Sequence, residues 1–197
     1  MFTGLVEACA PVVRIARTGE GAALAIERPS QGFADVELGE SISVSGCCLT
    51  IARVAPRELG FDLSAETLAR TRFGEVAPGT RLNLERSLRL SDRLGGHLVS
   101  GHVDGVGEIV AVEDSRDGGV TIDVVVPAEL ERYLIEKGSI AIDGVSLTVC
   151  EPHGRRFRVA LIPVTLAVTS LGRARAGDRV HLEADLVGKW IEKLVAR

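Results

Sequence analysis

The sequence predicts an all-β protein built from two tandem, pseudo-symmetric antiparallel β-barrels, with short helices and a C-terminal amphipathic helix. Three observations carry that reading. The chain repeats itself at an offset of 98 residues: Ser-Ile-Ser-Val-Ser-Gly-Cys-Cys-Leu-Thr at 41–50 returns as Ser-Ile-Ala-Ile-Asp-Gly-Val-Ser-Leu-Thr at 139–148. At the same offset Leu63, Thr67, Leu68, Ala69, Thr71, Gly74, Gly79, Arg81, Leu84 and Glu85 reappear as Leu161, Thr165, Leu166, Ala167, Thr169, Gly172, Gly177, Arg179, Leu182 and Glu183. A period near one hundred is too long for a solenoid and suits a duplicated small domain. Finally, the chain is rich in Val, Leu, Ile and Gly and poor in aromatics, which favours short strands and tight turns.

Taken in order, Gly4-Leu5-Val6-Glu7 opens the first copy and aligns with Gly105-Val106-Gly107-Glu108 after a three-residue shift. The stretch from Pro29 to Gly39 is the first copy's counterpart of a helix. Ser41 to Val44 is a short β-branched strand, and Ser64 is placed as the N-cap of a short helix that begins Ala65-Glu66-Thr67. Gly95-Gly96 ends the first copy, so residues 88–97 form the connection, and the domains are read as 1–97 and 98–197. In the second copy Thr121 to Val126 is a strand, and Pro127 to Lys137 reads as a helix with Pro in its first turn and Gly138 just past its end. Val187, Trp190, Ile191, Leu194 and Val195 follow the i, i+3, i+4, i+7, i+8 pattern, so Asp185 to Arg197 should form an amphipathic helix, the helix proper running from about 186 to 197. So short a helix is unstable alone. Its stripe either packs on its own barrel or against copies of itself.

Composition excludes several classes. With 23 Lys and Arg against 27 Asp and Glu the chain is mildly acidic, whereas a nucleic-acid binder needs a basic face. The arginines between Arg81 and Arg93 are interrupted by Glu85 and Asp92 and read as a solvated surface. No stretch approaches the ~20 apolar residues of a membrane span, and the start lacks the basic region of a signal peptide, so a cytoplasmic location is expected. Cys9, Cys47, Cys48 and Cys150 lack metal-ligand spacing, and Cys47 and Cys48, adjacent in a strand, point to opposite faces. Neither zinc nor disulfides are expected.

The copies differ where chemistry could differ. Cys48 corresponds to Ser146, each is followed two residues on by Thr50 or Thr148, and in a strand such pairs share a face. Each half thus aims a thiol or hydroxyl pair at a pocket, with Glu66 near one and Val164 at the equivalent place in the other; the same small residues also suit a barrel interior. Gly-Gly-His-Leu-Val-Ser-Gly-His-Val-Asp-Gly at 95–105 holds His97 and His102, half the histidines of the chain. Histidine suits proton transfer near neutral pH, but no Ser/His/Asp order, metal cluster or phosphate loop accompanies the pair, so ordinary junction residues remain an alternative.

Met1-Phe2-Thr3-Gly4, Gly46-Cys47-Cys48-Leu49-Thr50, the run from Gly95 to Gly105, Asp143-Gly144-Val145-Ser146-Leu147-Thr148 and Leu161-Ile162-Pro163 with Thr165-Leu166 resemble the signatures of the riboflavin synthases of the trimeric, duplicated-barrel type. The resemblance spans nearly the whole chain. It implies a cofactor-free, metal-free dismutation of two 6,7-dimethyl-8-ribityllumazine molecules to riboflavin and 5-amino-6-(D-ribitylamino)uracil. It also implies a homotrimer whose site lies between the N-terminal barrel of one subunit and the C-terminal barrel of the next, and it leaves a lumazine synthase shell open as a partner. One pocket would use Gly4, Leu5 and Val6, Cys48, Leu49 and Thr50, and Asp62, Leu63, Ser64, Ala65, Glu66 and Thr67. Gly101, His102, Val103, Lys137, Ser146, Leu147, Thr148, Ile162, Pro163, Val164, Thr165, Leu166 and Ala167 would supply the rest. His102 would shuttle protons, Ser146 and Thr148 would bind and help deprotonate one lumazine, and Cys48 would be a polar or nucleophilic participant, supported by Ser41 and Asp185; His97 is treated as structural. The chain departs from the family pattern at Val164, where an acidic residue is expected, and at Trp190, where Tyr is. The rival reading is a non-catalytic lumazine- or flavin-binding antenna protein on the same scaffold; such relatives lose the histidine motif.

Overall fold

The computed structural model describes residues 1–115 and 118–195 and contains two antiparallel barrels with few, short helices. The first comprises β1 (Ala8–Thr18), β2 (Gly21–Glu27), β3 (Ser41–Val44), β4 (Cys47–Val54), β5 (Glu58–Leu63) and β6 (Arg81–Arg86), closed in the order β1-β2-β5-β4-β3-β6. The second repeats the plan with β7 (Gly105–Asp114), β8 (Val120–Val125), β9 (Ser139–Ile142), β10 (Val145–Thr148), β11 (Cys150–His153), β12 (Arg156–Leu161) and β13 (Arg179–Ala184), in the order β10-β9-β13-β7-β8-β12-β11. Its end strands β10 and β11 are separated along the chain by Val149 alone, so they stand where the first barrel has the single strand β4. Strand alternation fills each interior: Leu24 and Ile26 from β2, Phe61 from β5 and Leu82 and Leu84 from β6 in the first, Val124, Phe157, Val159 and Leu182 in the second. Each such side chain contributes about 1.5–3 kcal/mol of burial.

Helix α1 (Ala65–Arg70) begins where expected, with the Ser64 hydroxyl accepting the Thr67 N–H at 3.0 Å, and α2 (Pro163–Val168) is its counterpart. Two expected helices are absent. From Pro29 to Gly39 the chain makes bends and turns, because the Arg28 guanidinium takes the Phe33 and Ala34 carbonyls at 2.9 and 2.8 Å, while Phe33 and Val36 plug the barrel end. Between Pro127 and Lys137 only a 3₁₀ segment, Ala128–Tyr133, forms. The Lys137 N–H is committed to Val149 O at 2.9 Å, and Lys137 itself, at φ +64°, turns the chain toward β9. Helix α3 (Leu186–Val195) forms as expected within the described residues; residues 196–197 of the expected helix lie outside them.

The copies meet about a pseudo-twofold axis. Ser45-Gly46 and Asp143-Gly144, both with positive φ, are the primed turns of the β3–β4 and β9–β10 hairpins and lie back to back, so that a Cβ on Gly46 would stand 2.8 Å from Gly144 N. Around them one hydrogen-bond set occurs twice. His181 N–H donates to Asp143 Oδ1 (2.9 Å), its Nδ1 bonds Ser45 O (2.7 Å), and its Nε2 accepts Arg72 N–H (2.9 Å). In the mirror set Asn83 N–H donates to Ser45 Oγ (3.1 Å), Asn83 Nδ2 donates to Asp143 O (2.9 Å), and Asn83 Oδ1 accepts Ser170 N–H (2.7 Å).

The segments that precede the barrels cross over. Phe2 and Val99 pair as an antiparallel bridge, with N···O distances of 2.7 and 3.1 Å. Buried Glu85 accepts Thr3 N–H, Thr3 Oγ1–H and Gly4 N–H at 2.6, 2.8 and 3.0 Å; buried Glu183 accepts Ser100 N–H, Ser100 Oγ–H and Gly101 N–H at 2.6, 2.8 and 2.9 Å. The true counterpart of Gly4-Leu5-Val6 is therefore Gly101-His102-Val103, not Gly105-Val106-Gly107. The sequence alignment slid past this because Leu5 and His102 share no chemistry and the backbone contacts that equate them are long-range.

Candidate active site

On β4 the alternation that buries Cys47 and Leu49 turns Cys48 and Thr50 the other way, and on β10 Ser146 and Thr148 are likewise half-buried and exposed. Burial pushes the Cys47 thiol up to about 12, so it is a core thiol and not a nucleophile. Across the hairpins Ser41 stands opposite Thr50 and Ala141 opposite Ser146.

Each pair is capped by a crossing arm. Cys48 N–H donates to Gly101 O at 2.7 Å, and Ser146 N–H donates to Gly4 O at 2.8 Å. Both glycines have φ near +80° (+82° and +78°), and a Cβ would stand 2.6 Å from Cys48 Cβ or 2.5 Å from Ser146 Cβ, so no other residue fits. Val103 consequently packs on the first core and Val6 on the second. This regroups the sequence-based pockets: Gly101, His102 and Val103 join Cys48 and Thr50, whereas Gly4, Leu5 and Val6 join Ser146 and Thr148.

The remaining expected residues divide. Ser64, which caps α1, and Ala65 and Glu66 on it are exposed, with Glu66 paired to Arg70 at 2.9 Å, and Thr67 is half-buried. Asp62 is exposed on β5, while Leu63, like Leu49, points into the core. Ile162, Pro163, Val164 and Ala167 are exposed and Thr165 half-buried; Leu147 and Leu166 pack against the second core. Lys137 turns its amine to Glu136 and the Cys150 thiol, both at 3.6 Å. Asp185 caps α3, its Oδ1 accepting Val187 N–H at 3.0 Å. Leu5, Ile162 and Val164 are 52–61 % exposed, leaving the Ser146 side uncovered within one chain.

The residue that sequence reasoning set aside is His97. Its Nδ1 lies 2.7 Å from Ser146 Oγ, its backbone N–H donates to Thr3 O, and its Nε2 is buried without a hydrogen-bond partner among the described residues. Burial pushes its pKa down, with Asp185 opposing. His102, by contrast, is exposed, with Nδ1 3.1 Å from Ser100 Oγ. A half-site built on Cys48 and His102 and another on Ser146 and His97 can each hold a polar heterocycle and exchange protons with it. All four cysteines are free thiols; among the described residues no three His, Cys, Asp or Glu cluster as metal ligands, and no helix is long and apolar enough to cross a membrane.

The family model of the lumazine binding domain matches the chain twice, at residues 3–87 and 100–185. A riboflavin synthase of Mycobacterium bovis is 46% identical over 199 residues, covering 99% of this chain and 98% of that protein. One of Actinobacillus pleuropneumoniae is 41% identical over 197 residues, covering 100% and 91%. The solved structure of LumP complexed with riboflavin superposes with a TM-score of 0.88 over 93% of this chain and 99% of that one, at 24% identity, a likeness of fold. With two lumazine binding domains in tandem and end-to-end likeness to these enzymes, the chain belongs to the riboflavin synthase family.

Proposed function

We infer that the protein is a riboflavin synthase that converts two 6,7-dimethyl-8-ribityllumazine molecules into riboflavin and 5-amino-6-(D-ribitylamino)uracil. The observation that carries this is the end-to-end likeness to riboflavin synthases, joined to two arm-capped half-sites of matching geometry and different chemistry, Cys48 with His102 and Ser146 with His97. One lumazine donates a four-carbon unit to the other, and the two products together contain every atom of the two substrates, so the reaction needs no external oxidant or reductant. Two related pockets suit two copies of one reactant, and holding both in register removes up to ~7–11 kcal/mol of barrier. His102 shuttles protons, Ser146 and Thr148 bind and help deprotonate the C7 methyl of one lumazine, Cys48 serves as the polar or nucleophilic participant, and Ser41 and Asp185 support them.

The working unit is a homotrimer, with the first barrel of one subunit facing the second barrel of the next. What supports this is α3, which docks by its polar side, through Lys189–Asp104 at 2.5 Å and the contact of Glu192 with Tyr133, while Val187, Trp190, Ile191, Leu194 and Val195 stay 52–74 % exposed. The sequence units remain 1–97 and 98–197, with arms exchanged. Free thiols are preserved in a reducing compartment, so the cytoplasm is the assigned location. Incubation of the purified protein with the lumazine and no other additive should yield riboflavin. Tight binding of lumazine without riboflavin formation would instead make the chain an antenna-type binder.

A further inference from the structure

Glu183 and Glu85 hold equivalent arms with equivalent bonds, yet what lies beyond the clamp differs. In the first arm Thr3 Oγ1–H is spent on Glu85, and the hydroxyl oxygen accepts the N–H of Leu5 at 3.2 Å. In the second, Ser100 Oγ–H is spent on Glu183 at 2.8 Å, and the oxygen faces both the N–H of His102 at 3.3 Å and His102 Nδ1 at 3.1 Å. Glu183 receives three donors and offers none, so the ionised carboxylate is the form that satisfies the site. A serine hydroxyl has one proton. Once that proton is directed at Glu183, Ser100 Oγ can only accept from the ring, and Nδ1 must carry the imidazole hydrogen.

We propose that Glu183, acting through Ser100, is the positioning group that fixes His102 as its Nδ1–H tautomer and leaves Nε2 as the free proton acceptor. The proposal rests on the reading of His102 as proton shuttle and adds the group that prepares it. A histidine free in water carries its proton mainly on Nε2, so the relay reverses the resting preference of the ring. It also explains why the duplication matters here: the carboxylate–hydroxyl couple is an arm clamp in both halves, and only in the second does it end on a titratable side chain, Leu5 standing at the equivalent place in the first.

The test is ¹⁵N NMR of the full-length protein labelled at histidine, with the His102 resonances assigned by their loss in His102→Gln and read above the pH at which the ring protonates. The expected spectrum has a pyrrole-type Nδ1 and a pyridine-type Nε2 for His102. Ser100→Ala should shift His102 toward the Nε2–H form and lower the single-turnover rate by about 10- to 100-fold, as loss of an outer partner of a functional histidine does, with lumazine affinity unchanged. Ser100→Thr, which installs the residue used by the first arm, should restore both readouts. An Nε2–H tautomer in the wild-type protein, or a His102 spectrum indifferent to Ser100→Ala, overturns the proposal. The wild-type spectrum decides even if Ser100→Ala does not fold. The expected tautomer in a protein that forms no riboflavin would sustain the relay and reject the enzymatic reading; the reverse pair of results would do the opposite.

Discussion

The exposed imidazole of His102 and the buried one of His97 sit on different half-sites and should respond differently to the same change. On the proposed role of His102, His102→Gln removes a general acid or base, so turnover should fall by about 10²- to 10⁴-fold while ligand binding is nearly kept, measured under single-turnover conditions; near-normal turnover would leave positioning of the two lumazines to carry the reaction. His97 shares a 2.7 Å contact with Ser146, so His97→Gln and Ser146→Ala should be non-additive in lumazine affinity by about 0.5 kcal/mol or more in a double-mutant cycle. Additive effects would return His97 to the structural role that sequence reading gave it. That reading found Cys48 and Ser146 because the repeat aligns them and strand alternation exposes them. It placed the arms with the wrong partners because nothing local records that residues 2–4 and 99–101 cross, and it set His97 aside because the Ser146 hydroxyl it meets lies 49 positions away.

Helix α3 has an apolar stripe with no buried residue among those described, so on the proposed trimer its stability draws on a neighbouring subunit. Ending the protein after Asp185 should give monomers with little activity. Sedimentation would decide it, a trimeric truncated protein removing the helix from the assembly. Elements of this kind, with a clear period or a capping side chain, were legible from the sequence; so were the strands, by their β-branched content and glycine borders. The stretches Pro29–Gly39 and Pro127–Lys137 were not, because each has helix-like punctuation but its backbone groups are claimed from outside the stretch, by the neighbouring Arg28 side chain in one case and by Val149 in the other.

At the scale of the whole molecule the two barrels are joined by a hydrogen-bond set that uses Asn83 on one side and His181 on the other. Burial keeps the His181 ring below its ordinary value of 6.5, so the unfolded chain binds a proton there more readily than the folded one. Its contribution to stability is therefore full above pH 6.5 and is lost as the pH falls below it. His181→Asn copies the side chain that already makes the mirror bonds, and should flatten the fall in melting temperature between pH about 7.5 and about 5.5. His97, Glu85 and Glu183 remain in both proteins, so the difference between the two slopes belongs to His181; equal slopes would refute the assignment. The crossed arms have a separate consequence, for the order of folding. While the ribosome has released only the first barrel, the Cys48 N–H lacks its acceptor, since Gly101 has yet to emerge, and residues 2–4, though clamped by Glu85, have neither Val99 nor Ser146 to bond. Neither half can be completed before the other exists, so the chain should melt in urea as one cooperative unit: Trp190 fluorescence, which reports only the second half, should trace the same transition as far-UV circular dichroism, which reports both.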